Sequence, residues 1–427
     1  MQVSVETTGG LERKMTVALP SDQLESEVSK RLKSMAPRVK LAGFRPGKVP
    51  FKVVEQRYGF QVRQEVLGDI MSSSFYEAVE KEKLRPAGMP KIEPKVDAPQ
   101  NEISYVATFE VYPEIEVKNL NKMKVERPKA DIADTDIDKM IDKLRQQRAG
   151  WEIVERAAVN GDRVSVDYKG TINGEVFQGG EGSDLPVVLG SGSMIEGFEE
   201  ALAGAVAGQD VEVDLNFPEN YASAEVAGKP AHFSLKVKKV EAPVLPEVND
   251  EFANQFGVKE GGIEGLRADV RKNMQRELDR IISSKLKNQV MDGLLAATDF
   301  ETPSALIDEE AKRYKEQMGA QYGGAQNIPD DVAKVAAKRR VALGLILAEL
   351  IRQNDMKADA GRIKAEVESI ASAYGEPEDV IKWYYSNQQR MQEVESMVLE
   401  DQVVDWVLEQ AQVTDKMTTF DELTSAA

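Results

Sequence analysis

The chain has 427 residues, 41% of them apolar, with no cysteine, a single histidine and a formal charge of −18. That length predicts about two to four domains with enough apolar residues for real cores, which excludes wholesale disorder. The lack of cysteine excludes a disulfide framework, thiolate-held zinc, iron–sulfur clusters and thiol nucleophiles, and leaves His232 as the one imidazole for a Ser-His-Asp triad.

Gln2–Thr7 and Arg13–Leu19 read as strands joined by a turn at Gly9-Gly10. Pro20-Ser21-Asp22 opens a helix whose apolar positions Leu24, Val28, Leu32 and Met35 recur every three or four residues. Pro37 ends it, and Leu41 to Pro50, with two glycines and two prolines, is a loop. Pro50 suits the first turn of the next helix and Gly59 its end; a longer helix follows to about Lys83. Lys91–Val96 and Glu102–Val111 alternate as a hairpin. The N-terminal part is therefore expected to be α+β over 1–112. Residues 113–150 begin extended and then form a polar helix, Asp136–Arg148, a connector that packs on something else. In 151–243, Arg163–Tyr168, Leu185–Leu189, Val211–Asn216 and His232–Val240 alternate with glycine-rich turns, as in a small β-rich domain. From Gly265 to Val413 the pattern is helical throughout, with breaks near Thr302-Pro303, Gly323-Gly324, Pro329, Ala358–Gly361 and Glu376-Pro377. Long helices between short turns predict an extended, arm-like bundle in 244–427. The N-terminus lacks an apolar core after a basic start, so no signal peptide is expected. The most apolar stretch, Val341–Ile351, includes Glu349 and falls short of the about 20 residues that span a bilayer. A soluble, cytoplasmic protein without membrane partner, metal or cofactor is the expectation.

Charge is uneven. Residues 1–112 hold 17 Lys+Arg against 15 Asp+Glu, whereas the rest of the chain carries a net −20. Between 30 and 63 ten cations face Glu55 alone. Such a stretch on an acidic chain suggests a docking face for a polyanion, nucleic acid being the commonest. The other reading is a solvated helix face that happens to be basic.

The β-rich segment holds Val164-Ser-Val-Asp-Tyr-Lys-Gly170, Gly174-Glu-Val-Phe177, Ile195-Glu-Gly-Phe198, Pro218-Glu-Asn-Tyr221 and Phe233–Glu241, and over about 90 residues it resembles the FKBP-type prolyl isomerases. The resemblance implies that Tyr168, Phe177, Met194, Ile195, Phe198, Tyr221 and Phe233 line a proline pocket. Phe198 stands where many members have tryptophan, and Gln178 where an acidic residue is usual. By residue pattern alone, these aromatics also suit an ordinary small-barrel core. His232, alone beside Phe233, reads as structural. Gly190-Ser-Gly192 hints at a phosphate loop, but the lysine of a P-loop is missing and the GxGxxG frame fails.

The tip Gly43-Phe44-Arg45-Pro46-Gly47-Lys48 presents an aromatic and two cations on a braced loop, either to a partner or as a tight turn with Phe44 tucked inward. GFRPGKVP, upstream of the FKBP-like insert, with Phe256-Gly257, Glu264–Asn273 and Thr418-Thr-Phe420 further on, resembles the trigger factor family of ribosome-associated bacterial chaperones along essentially the whole chain. The resemblance implies an ATP-independent chaperone with three parts. A ribosome-binding α+β domain (1–112) docks beside the nascent-chain exit of the large subunit, on ribosomal protein and rRNA. An FKBP-like peptidyl-prolyl isomerase domain occupies 151–243. A helical chaperone body is built from 113–150 with 244–427. The docking contact would be Gly43 to Lys48, with Pro46 at a position that is commonly basic. Nascent and unfolded polypeptides would be the clients, met by arms that carry Met274, Met291, Met318, Met356, Met391 and Met397. Methionine suits surfaces that accept many sequences, though it packs cores equally well. An exposed apolar cradle also favours self-association off the ribosome. The competing reading is a free cytoplasmic FKBP-type isomerase and chaperone without a ribosome role.

Overall fold

The computed structural model describes residues 1–427 apart from 43, 45–47, 96–101, 220, 222, 224, 259, 323–327, 373 and 426–427. It is a multidomain α+β chain that divides into two compact units, Met1–Arg127 with Ser284–Lys416, and Pro128–Ser283 with Met417–Ala427.

In the first unit, β1 (Gln2–Gly9), β2 (Glu12–Pro20), β3 (Lys91–Pro94) and β4 (Glu102–Glu110) form an antiparallel sheet in the order β1-β2-β4-β3. Alternation along β2 and β4 buries Met15, Val17 and Leu19 beside Tyr105, Ala107 and Phe109. Helices α1 (Ser21–Met35) and α2 (Phe51–Lys81) cover that face, α1 through Leu24, Val28 and Leu32. The Ser74 hydroxyl of α2 donates to the Met71 carbonyl, so the buried Tyr105 hydroxyl, 2.8 Å away, donates to Ser74. Gly59 does not end a helix: α2 runs unbroken through it and Gly68. Two helical glycines cost about 1 kcal/mol each, which the burial of Val54, Val62, Val66, Ile70 and Phe75 outweighs.

The helical part of this unit comprises the latter part of α6 (Gly262–Ala297), then α7 (Ser304–Tyr322), α8 (Asp330–Gln353), α9 (Ala360–Ala371), α10 (Pro377–Ser386) and α11 (Gln388–Gln410). The expected breaks near Thr302-Pro303, Pro329, Ala358–Gly361 and Glu376-Pro377 fall at the ends of these helices, and Gly323-Gly324 lies outside the described residues; one more break lies at Asn387, whose side chain accepts from the N–H groups of Gln389 and Arg390. The helical pattern stops at Gln410, and the chain turns extended as β11 (Gln412–Met417), which pairs with β5 (Lys124–Lys129). Val290, Leu294, Ile346, Leu350, Val403 and Val407 form its main core. Glu110 of β4 accepts from the Ser304 hydroxyl (2.9 Å) and the Ala305 N–H (3.0 Å), satisfying a donor at the start of α7. Met274 in the second unit and Met291 in this one are buried, Met318 is half-buried, and Met356 and Met391 pack against cores; Met397 is the exposed one of the six.

In the second unit, α3 (Asp134–Gln147), α5 (Asp250–Gln255), the first part of α6 and α12 (Phe420–Ser425) bury Ile137, Ile141, Phe252, Leu266, Leu278 and Phe420 together. The β-rich segment of this unit is a five-stranded antiparallel sheet of β6 (Gly150–Ile153), β7 (Arg163–Ile172), β8 (Glu175–Val188), β9 (Asp210–Asn216) and β10 (Pro230–Val244), ordered β6-β10-β7-β8 with β9 also on β10. Its strands extend past the sequence expectation because cross-strand pairing continues through residues that break alternation. A bulge between Val237 and Lys239 allows one such change of face. Arg163 on β7 lies over the Trp151 ring (4.6 Å) and donates to Glu241 on β10 (2.9 Å).

Among the described residues no helix is long and apolar enough to cross a membrane. Glu349, the charge within the most apolar stretch, is answered locally. Arg352 donates to both of its oxygens (2.6 and 2.9 Å) and Gln353 adds a third bond (2.8 Å). Arg352 foremost holds its carboxyl down to about 2, against the opposing effect of burial.

Two outcomes follow from this packing. Tyr105→Phe removes the donor to Ser74 and should destabilise the N-terminal sheet by about 1 kcal/mol, read as faster amide exchange along β4. Glu349 has a folded pKa below its ordinary value, so its stabilisation is complete above about pH 4.5 and is lost as pH falls towards 2. Glu349→Gln should therefore flatten the acid limb of the stability of α8 in that window.

Candidate functional site

The sheet of the β-rich segment curls around a cavity of about 300 Å³, open to solvent on one side. Each element supplies a wall. Tyr168 comes from β7, Phe177 and Leu185 from β8, and Phe233 from β10. Phe198 begins the short α4 (Phe198–Leu202); Met194 and Ile195 precede it in the loop after β8. Phe217 follows β9, and Tyr221 stands at the rim with 42% of its surface exposed. All seven pocket residues expected from the sequence thus surround one space.

Phe217, which the sequence pattern did not single out, meets three other rings, as Phe233 does. It meets Phe177 edge-on at 5.6 Å, Tyr221 at 4.8 Å and Phe233 at 6.2 Å. Phe198 meets Phe233 at 5.6 Å and Phe177 meets Phe233 at 6.1 Å, both near perpendicular. The signal for Phe217 was an aromatic at the end of a strand, just before Pro218. Gly170, paired with Phe233, lets these rings close: a Cβ there would lie 2.7 Å from the Phe233 ring and 2.8 Å from that of Phe177. The Tyr168 hydroxyl donates to the Gly179 carbonyl (3.2 Å), fixing that ring at the mouth. Gln178 is exposed and not among the lining residues.

The loop before α4 has a different chemistry. Gly190 (φ 83°) and Gly192 (φ 67°) adopt left-handed backbone, which turns successive N–H groups towards one point. The carboxylate of Glu199 occupies that point. Its Oε2 accepts from the N–H groups of Gly190 (2.8 Å) and Gly192 (3.1 Å). Its Oε1 accepts from the N–H groups of Ser193 (2.9 Å) and Met194 (3.1 Å), from the Ser191 hydroxyl (3.0 Å) and, at longer range, from the Ser193 hydroxyl (3.5 Å). Burial alone would raise the pKa of Glu199, but these donors together hold it below the ordinary carboxylate value. The Gly-Ser-Gly run is thus an anion-binding loop whose anion is a side chain of its own chain. No sequence motif marked Glu199.

His232 projects from the outer side of β10 and meets Asp214 on β9 at 2.7 Å, away from the lining residues. Among the described residues no group of His, Asp and Glu is arranged to hold a metal ion.

Of the basic tip, Phe44 and Lys48 are described, and Gly43, Arg45, Pro46 and Gly47 lie outside the described residues. Phe44 is 39% exposed rather than tucked inward, with its N–H donating to the Leu41 carbonyl (3.1 Å). Three cations of the basic stretch are paired: Lys30 with Glu27, Arg31 with Asp69 and Arg63 with Glu25. Lys33, Arg38, Lys40, Lys48, Lys52 and Arg57 are exposed and have no ion-pair partner among the described residues.

Three family models match the chain in succession. Residues 1–144 match the bacterial trigger factor protein, 154–238 the FKBP-type peptidyl-prolyl cis-trans isomerase, and 262–409 the bacterial trigger factor C-terminus. A trigger factor of Ectopseudomonas mendocina (strain ymp) is 52% identical over 430 residues, spanning 100% of this chain and 99% of its own. Those of Stutzerimonas stutzeri (strain A1501) and Pseudomonas putida KT2440 are 51% identical, spanning 100% of this chain and 99% and 98% of theirs. The fold is also that of a solved chain from work on promiscuous substrate recognition in folding and assembly by the trigger factor chaperone. That chain has TM-score 0.50 and 17% identity, with 96% of this chain and 99% of the other covered. The chain belongs to the trigger factor family of chaperones and carries within it an FKBP-type peptidyl-prolyl isomerase domain.

Proposed function

We propose that the cavity bounded by Phe177, Phe198, Phe217 and Phe233 takes the pyrrolidine ring of an X-Pro bond, and that the N-terminal domain brings this activity to new chains at the ribosome. The observation that carries the first part is the composition of the cavity wall. Rotation about the X-Pro amide crosses a barrier of about 18–20 kcal/mol set by resonance. Resonance separates charge, so an apolar surround weakens it, and a twisted amide has less charge separation to solvate. No bond breaks and no proton has to leave. Aromatic walls that grip the ring and exclude water suffice, and Tyr168 and Tyr221 at the mouth add polar edges for the flanking peptide.

The second part rests on the exposed Phe44 and on the exposed Lys33, Arg38, Lys40, Lys48, Lys52 and Arg57, which have no ion-pair partner among the described residues, a surface suited to rRNA phosphates with an apolar anchor beside them. On this reading residues 1–112 dock near the nascent-chain exit, with Gly43 to Lys48 as the contact. Residues 151–243 isomerise X-Pro bonds, and 113–150 with 244–427 shield the chain. Tyr374, Trp383 and Tyr385 expose about half of their surfaces on the helical body, with Arg390 over the Trp383 ring at 3.7 Å; they offer unfolded chains an apolar, adaptable face. Release would need no nucleotide, since contacts of this kind are weak and reversible. A cytoplasmic site of action goes with this reading, as does self-association through the same face when no client is bound.

Two measurements test the two parts separately. Phe198→Ala should lower kcat/KM on a proline peptide about tenfold or more while leaving ribosome co-sedimentation unchanged; equal loss of both would defeat the modular reading. The triple change Phe44→Ala, Arg45→Ala, Lys48→Ala should abolish co-sedimentation, and raised salt should weaken the binding of the native chain. A native chain that does not sediment with ribosomes at low salt would leave the free isomerase-chaperone as the better account.

A further inference from the structure

The donors around Glu199 also bear on the neighbouring cavity. After β8 ends at Val188, the chain runs to Phe198 without helix or strand, so the N–H groups of 190–194 have no ladder to join. All the order this segment gains from charge-assisted hydrogen bonding comes from one carboxylate, and that carboxylate sits on the residue after Phe198. One of these donors is the N–H of Met194, itself a wall of the cavity, with Ile195 next to it. Glu199 therefore ties the Met194–Ile195 wall to the helix that carries the Phe198 floor.

We propose that Glu199 is a positioning residue of the isomerase site: its carboxylate fixes the Met194–Ile195 wall at the distance from Phe198 that a twisted prolyl amide requires. The proposal rests on the reading of this cavity as the proline site. A wall held by strand pairing cannot drift, but a loop wall can, and a shift of about 1 Å is enough to cost a large part of a rate. Both carboxylate oxygens act only as acceptors here. An isosteric amide would turn an NH₂ towards at least two N–H donors, so Glu199→Gln keeps volume and loses the anchor.

The full-length chain is assayed on a proline peptide as native protein, E199Q and Phe198→Ala, with amide exchange followed in parallel. E199Q should lower kcat/KM about tenfold, mostly in kcat, because the ring floor of Phe198 and Phe233 is untouched. Its Ser193 and Met194 amides should exchange faster while β7 and β10 keep their protection. Unchanged activity, or a loss confined to KM, overturns the proposal if Phe198→Ala is impaired. If Phe198→Ala is also unimpaired, it is the reading of the cavity that fails, and the positioning role falls with it. Should E199Q lose its fold, Ser191→Ala decides. It removes one donor to the same carboxylate and should lower kcat about twofold, whereas full activity overturns the role.

Discussion

Strand β10 is the constraint on which the β-rich segment depends. Its fifteen residues pair with β6 at one end and with β7 and β9 along the rest, so this strand fixes the register of three others. Period-two alternation then sends Ala231, Phe233, Leu235 and Val237 inward and leaves His232, Ser234 and Lys236 outside. A slip of one residue would exchange these two sets. It would put the histidine in the ring cluster and Phe233 in water. The bulge after Val237 resets the phase so that Val240 and Glu241 are buried where β10 passes Arg163. The place of Phe233 in the cavity is thus settled by pairing over the whole strand, and the other rings are arranged around it.

The cavity is built on two kinds of support. Phe177 and Phe233 stand on strands and need only Gly170 between them to come together. Met194 and Ile195 stand on a loop and depend on a half-buried carboxylate instead. An apolar site can be rigid on strands at little electrostatic cost. A loop rich in left-handed glycine exposes donors that water would otherwise take, and a carboxylate supplied from within the chain satisfies several of them at once. The same economy governs Glu349 and Glu110, which lie among apolar residues or at a helix start and are held by donors from their own unit.

Much of this was legible in the sequence, for identifiable reasons. The two helices and the paired strands of 1–112 follow from Leu24, Val28 and Leu32 at helical spacing and from alternation in β2 and β4, because each of these elements buries one face; Val96, the expected end of the strand before β4, lies outside the described residues. The breaks at Pro303, Pro329 and Pro377 were carried by proline, each at or just before the first residue of a helix. Asn387 was missed because an N-cap asparagine has no periodicity of its own, and β11 was missed because its pairing with β5 depends on residues nearly three hundred positions away. Gly59 misled in the other direction: local propensity favours a stop, and tertiary burial of α2 overrides it. The methionines show the limit of composition as a guide to surfaces, since five of the six pack inward or are partly covered.

In the cavity, the rings were legible and their support was not. Tyr168, Phe177, Phe198 and Phe233 could be found because a family spacing ties aromatics to glycine turns. Phe217 offered only an aromatic at a strand end and Glu199 no signal at all, since what they do is defined by partners more than by type. A glutamate in the first turn of a short helix is ordinarily a solvated charge. Here burial would favour its neutral form, yet the surrounding donors keep it ionised. That balance can be judged only when the positions of Gly190, Ser191, Gly192, Ser193 and Met194 are all known. Sequence reasoning is strong where one residue's chemistry is enough, as for a ring that must exclude water. It is weak where the same residue type is made structural by the sum of several weak bonds that no single position announces.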